Sequence, residues 1–60
     1  MNKFIKLKGL DGQTIIANVP QIACVVQNMD EVDGCTVYFA GGASMAVAEP
    51  AKSVLEKAST

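Results

Sequence analysis

Histidine is absent from this 60-residue chain, and its two cysteines, Cys24 and Cys35, stand outside any CxxC spacing. Common zinc frameworks, thiol-redox motifs and a histidine general base are therefore missing together. Charge is scarce too. Charged residues make up 18% of the chain, against roughly 25% in an ordinary soluble domain. The formal net charge is −1, whereas a nucleic-acid binder normally carries a basic excess, so nucleic acid is not an expected partner. No apolar run is long enough to cross a bilayer, and membrane insertion is not expected. With no leader-like start, the reading is a reduced, cytoplasmic protein with two structural thiols.

Organised catalytic groups are equally missing. Ser44 and Ser53 have no candidate base, and the carboxylates fall on turns and helix ends. Asp30, Glu31 and Asp33 lack the alternating ligand positions and closing glutamate of a calcium loop. Gly9, Gly12, Gly34, Gly41 and Gly42 all sit at turn positions, so none builds a phosphate-cradling loop. No enzyme, metal or cofactor is expected.

What is present is alternation. Ile5 and Leu7 alternate with Lys6 and Lys8, Ile15 and Ala17 flank Ile16, and Cys35, Val37 and Phe39 alternate with Thr36, Tyr38 and Ala40. That period of two marks strands with one buried face. Leu10-Asp11-Gly12 supplies the first hairpin turn, and Pro20 marks a bend before a third strand over 22–28. The run IACVV in that strand has no alternation and suits burial on both faces. Gly41 and Gly42 announce a second hairpin. A three-residue loop, Gly41 to Ala43, would pair Phe39 with Met45 and Val37 with Val47, gathering four large apolar side chains on one face.

After Glu49, Pro50 fits the first turn of a helix, and Ala51, Val54, Leu55 and Ala58 recur at helical spacing. The expected fold is mainly β and occupies residues 1–60 as one domain. It is a small five-stranded antiparallel sheet, or an SH3-like barrel, with one C-terminal helix packed on it.

A chain this short buries only about 60% of its unfolded surface, yet half of its residues are apolar. Burial between subunits accommodates that surplus and adds stability, so a homo-oligomer is expected. If Val37 and Phe39 face the helix, Tyr38 faces outward and makes a natural contact centre. Ile16 joins it. So do either Ala23 and Val25 or Cys24 and Val26, depending on strand register. The candidate interface is Ile16, Val25 and Tyr38. Lys3, Lys6 and Lys8 form the basic cluster; they are candidates for weak anion contacts, or simply solvated charges guarding a strand.

Read in this order, the chain resembles the small flagellar-operon proteins of the FlbD type. The shared features are the first strand and turn IKLKGLDG, a hydrophobic second strand closed by Asn18 with Ile22 four residues on, the segment TVYFAGG, and a strand ending in Glu49 before a short apolar-striped helix. The resemblance covers most of the chain and implies this fold, a flagellar association and no catalytic residues. A more distant likeness is to the sheet of LytTR-type DNA-binding domains. The leading functional expectation is a non-enzymatic, oligomeric protein-interaction or scaffold module with an unidentified protein partner. The alternative is a phage or mobile-element protein that sequesters a small molecule or nucleotide, or inhibits a host protein, at a subunit interface. A DNA-binding regulator ranks third.

Overall fold

The computed structural model describes residues 3–27 and 33–59. Asn28, Thr60 and most of the expected loop before Gly34 lie outside the described residues. Five strands and one helix follow in order: β1 (Phe4–Lys8), β2 (Thr14–Asn18), β3 (Ile22–Gln27), β4 (Cys35–Phe39), β5 (Ser44–Val47) and α1 (Ala51–Ser59). A short 3-10 helix around Pro20 joins β2 to β3, because proline cannot donate a ladder bond and presets a turn-compatible φ.

The strands form an antiparallel sheet of two parts. β1 pairs with β2, and β3, β4 and β5 form a meander. One bridge, Gly9 to Val47, joins the parts, reinforced by Ala48 N–H donating to the Lys8 carbonyl at 2.7 Å. The spatial order is therefore β2-β1-β5-β4-β3. The sheet does not close into a barrel; β2 and β3 stand at its two ends, so the open-sheet form of the expected fold is the one adopted.

Side-chain parity follows the sequence. Ile5, Leu7, Ile15 and Ala17 from the first hairpin meet Cys35, Val37 and Val47 from the meander, and Val54 of α1 completes the buried core. Val37 and Val54 are fully buried. Burying a valine side chain contributes about 1.5–3 kcal/mol, a substantial share of the stability available to a domain this small. Gly9 carries the bridge between the two parts. A Cβ there would sit 3.2 Å from the Gln13 carbonyl oxygen and 3.5 Å from Ile15 Cδ1, both within the first hairpin.

Four expectations need correction. The second hairpin loop is Ala40 to Gly42, closed by Phe39 N–H on Ala43 O at 2.8 Å, so Val37 pairs with Met45 and Cys35 with Val47. Gly41 and Gly42 both take φ of 98°, which places the glycines inside the turn and Ala43 in the ladder. Met45 is consequently half-stranded: β1 meets β5 only at its Val47 end, and Met45 is exposed beyond that contact. The third strand is not buried on both faces. As an end strand it leaves Ala23, Cys24, Val26 and Gln27 exposed.

The helix begins one residue later than expected. Pro50 precedes it, with its carbonyl accepting Val54 N–H at 3.3 Å. The Ala51 N–H is satisfied from outside the helix, by Gln27 Oε1 of β3 at 2.8 Å. Finally, Leu55 is exposed. The helix approaches the sheet through Ala51, Val54 and Ala58, whose small side chains allow close packing, and Leu55 falls on the flank of that stripe.

Candidate functional site

Two regions bring together residues singled out by the sequence. The first is the outer face of the meander. Paired residues in an antiparallel ladder share a face. Cys24 pairs with Tyr38 and Tyr38 with Ser44; Val26 pairs with Thr36 and Thr36 with Ala46. These six side chains make a continuous surface without an ionisable acid or base other than the Cys24 thiol and the Tyr38 phenol. Tyr38, on the central strand β4, is 41% exposed, and Val26, on the end strand β3, is 45% exposed.

Val25 does not belong to that surface. A register shift between Ile22 and Cys24 inserts Ala23 as an extra residue, so Ile22 pairs with Phe39 and Val25 with Val37 on the core side. Val25 packs against the core. Of the two registers open from the sequence, the one placing Cys24 and Val26 beside Tyr38 is the one formed. Ile16 is 57% exposed on the outward side of β2, next to Lys6, but β1 and β5 stand between it and Tyr38. The structure therefore does not bring Ile16, Val25 and Tyr38 together.

The second region is a cleft of about 300 Å³ where β1 runs past the end of β5. Gly9 N–H donates to Gln13 O and Val19 N–H to Lys3 O, so odd-numbered residues of β1 turn their main chain toward β2 and even-numbered ones turn it away. On that second side, among the described residues, no strand accompanies β1 beyond Lys8. Side chains take over: Glu49 Oε2 accepts Lys8 N–H at 2.7 Å, and Lys57 Nζ donates to the Lys6 carbonyl at 2.9 Å.

Glu49 and Lys57 also meet each other. Lys57 Nζ lies 2.7 Å from Glu49 Oε1, and Ser53 Oγ donates to the same oxygen at 2.8 Å. Ser53 and Lys57 stand four apart on one face of α1, and Glu49, just before the helix, lies beneath the same face. The Glu49 side chain is only 12% exposed. Burial pushes its carboxyl upward, but hydrogen bonds from Lys57, Ser53 and Lys8, with the Lys57 charge, outweigh that and hold it below the ordinary glutamate value. Around this anchored group the cleft is lined by Lys6, Lys8, Gln13 and Thr14.

The three candidate lysines part company here. Lys6 and Lys8 share the outward side of β1 and line the cleft, whereas Lys3 reaches the helix C-terminus, donating to the Ala58 carbonyl at 3.0 Å. A cation there complements the helix dipole. Sequence reasoning missed Glu49 and Lys57 as partners of β1. Their four-residue spacing through Ser53 was the available signal.

Both cysteines are free, Cys24 exposed and Cys35 buried. Burial, and then the nearby Glu49 charge, push the Cys35 thiol upward, which suppresses its thiolate. Among the described residues no three Cys, Asp or Glu side chains converge as metal ligands would. Among the same residues no helix is long and apolar enough to cross a membrane. No protein-family model, curated protein or solved structure matches this chain.

Proposed function

We propose that the protein is a non-enzymatic interaction or scaffold module that self-associates through the outer face of β3, β4 and β5. The observation that carries this reading is the uncharged surface formed by Cys24, Val26, Thr36, Tyr38, Ser44 and Ala46. A two-fold dimer places one patch against its own copy, so like charges in the patch would oppose association. This one has no fixed charges to oppose it. Tyr38 contributes a large, rigid and amphipathic side chain, the type enriched where partners meet. Val26 and Cys24 supply apolar area beside it. The FlbD-type resemblance adds a proposed flagellar association, and the two free thiols suit a reducing compartment such as the cytoplasm.

Size-exclusion chromatography with light scattering on the full chain tests the reading. The parent is expected to be oligomeric at high micromolar concentration, and Tyr38→Glu to be monomeric with a lower melting temperature. A monomeric parent, or a Tyr38→Glu variant that assembles as the parent does, overturns it.

A further inference from the structure

We propose that the cleft beside β1 binds a doubly charged oxyanion of the phosphate class. It lies apart from the outer face of the meander and does not depend on self-association. Three lysines, Lys6, Lys8 and Lys57, line it, and Glu49 is the one acidic residue of its lining. Lys57 is already matched by Glu49 at 2.7 Å and held by the Lys6 carbonyl. The surplus positive charge therefore belongs to Lys6 and Lys8, which are exposed and have no carboxylate partner among the described residues.

The geometry favours a compact dianion over a single carboxylate. Lys6 and Lys8 are two positions apart on one face of a strand, which spaces their Cβ atoms at about 6.6 Å from the strand rise. Two flexible lysine stems rooted that far apart converge readily on one tetrahedral oxyanion, and two positive charges match two negative ones. Gln13 and Thr14, across the cleft on the hairpin, add an amide and a hydroxyl as neutral donors. Glu49 closes the floor. Because its carboxylate is occupied by Lys8 N–H, Ser53 and Lys57, it fixes the cleft's shape, and its repulsion of an anion is offset by Lys57 at contact distance.

Free phosphate and a phosphate ester carried by a partner share this chemistry. The test is a titration of the full-length chain followed by amide chemical shifts, with inorganic phosphate at pH 7.5 and chloride at matched ionic strength as the reference. Saturable shifts are expected at Lys6, Lys8, Gln13 and Thr14 with phosphate alone. Lys6→Gln with Lys8→Gln should weaken binding at least tenfold while the spectrum stays dispersed, and Lys52→Gln, elsewhere on α1, should leave it unchanged.

Lowering the pH to 5.5 converts nearly all inorganic phosphate to the monoanion, since its second ionisation lies near neutral pH. Phosphate affinity should fall several-fold while sulfate affinity holds. The charged groups facing the ligand are Lys6 and Lys8 from β1, Lys57 from α1 and Glu49 before it, and no histidine is available to titrate in between. Phosphoserine binding tenfold tighter than inorganic phosphate assigns the site to a phosphorylated partner; equal affinity assigns it to free phosphate. Shifts that chloride reproduces, or equal weakening by Lys52→Gln, overturn the proposal and make the lysines a solvated face.

Discussion

Glu49 and Lys8 are hydrogen-bonded across 41 positions of sequence, the carboxylate of one accepting the main-chain N–H of the other at 2.7 Å. The contact gives an edge of β1 the partner that no strand provides. Glu49→Gln keeps the shape and removes the charge, and should lower stability by roughly 1.5–3 kcal/mol, the range for hydrogen bonds to a charged group.

The same variant should alter the acid response. The Glu49 carboxyl is held below the ordinary value of 4.5 in the folded protein. Its ionised form therefore contributes stability fully above that value, and the contribution is lost as pH falls through the lower folded pKa. Thermal melts across the acid range should show the parent losing more stability than Glu49→Gln. Parallel curves would remove Glu49 from the explanation.

The two cysteines should differ sharply towards an alkylating reagent. Cys24 is exposed, and Cys35 is buried with its thiol pushed upward. Timed iodoacetamide labelling of the monomeric Tyr38→Glu variant, in which Cys24 is not covered by a second copy, should give one adduct at Cys24 under native conditions and a second at Cys35 only on unfolding, as read by mass spectrometry. Equal rates would contradict the burial of Cys35.

Two kinds of glycine substitution should fail for different reasons. At Gly41 and Gly42 there is open space for a Cβ but a φ of 98° in each case. Alanine at either should therefore cost at least about 1 kcal/mol through backbone strain. At Gly9 the backbone is ordinary, but the new Cβ approaches the Gln13 carbonyl at 3.2 Å, so the cost comes from crowding. Gly9→Ala should perturb amide shifts on both sides of the Gly9–Val47 bridge. Gly41→Ala should confine its changes to the second hairpin. Urea unfolding and amide spectra separate the two.

The buried faces were legible because a period of two states parity directly. Ile5, Leu7, Ile15, Ala17, Val37 and Val47 are all buried where alternation places them. Register was less accessible. Shifting β5 by two residues exchanges Phe39–Met45 for Val37–Met45 but leaves every side chain on the same face, so the apolar pattern cannot choose between the pairings. The turn chemistry does choose, through the positive φ of both glycines.

In β3 parity itself breaks. The extra residue at Ala23 moves Ile22 and Val25 to the core side despite their odd spacing, and nothing in IACVV marks a bulge. For the cleft, Lys6 and Lys8 were visible as a basic pair. The role of Glu49 and Lys57 emerges only in the fold, where the helix comes to lie beside β1; Lys57 and Lys6 are 51 positions apart in sequence.

The single bridge between the two parts of the sheet has a kinetic consequence. Each hairpin forms from contacts close in sequence, whereas Gly9–Val47, Lys8–Glu49 and Lys6–Lys57 must close long loops. Such contacts are expected to form after the rate-limiting barrier. Disrupting them should then speed the reverse reaction while leaving the forward one nearly unchanged. A chevron plot for Glu49→Gln should show a raised unfolding limb over an almost superimposed refolding limb. In that case the junction governs how long each native molecule lasts rather than how fast it is made.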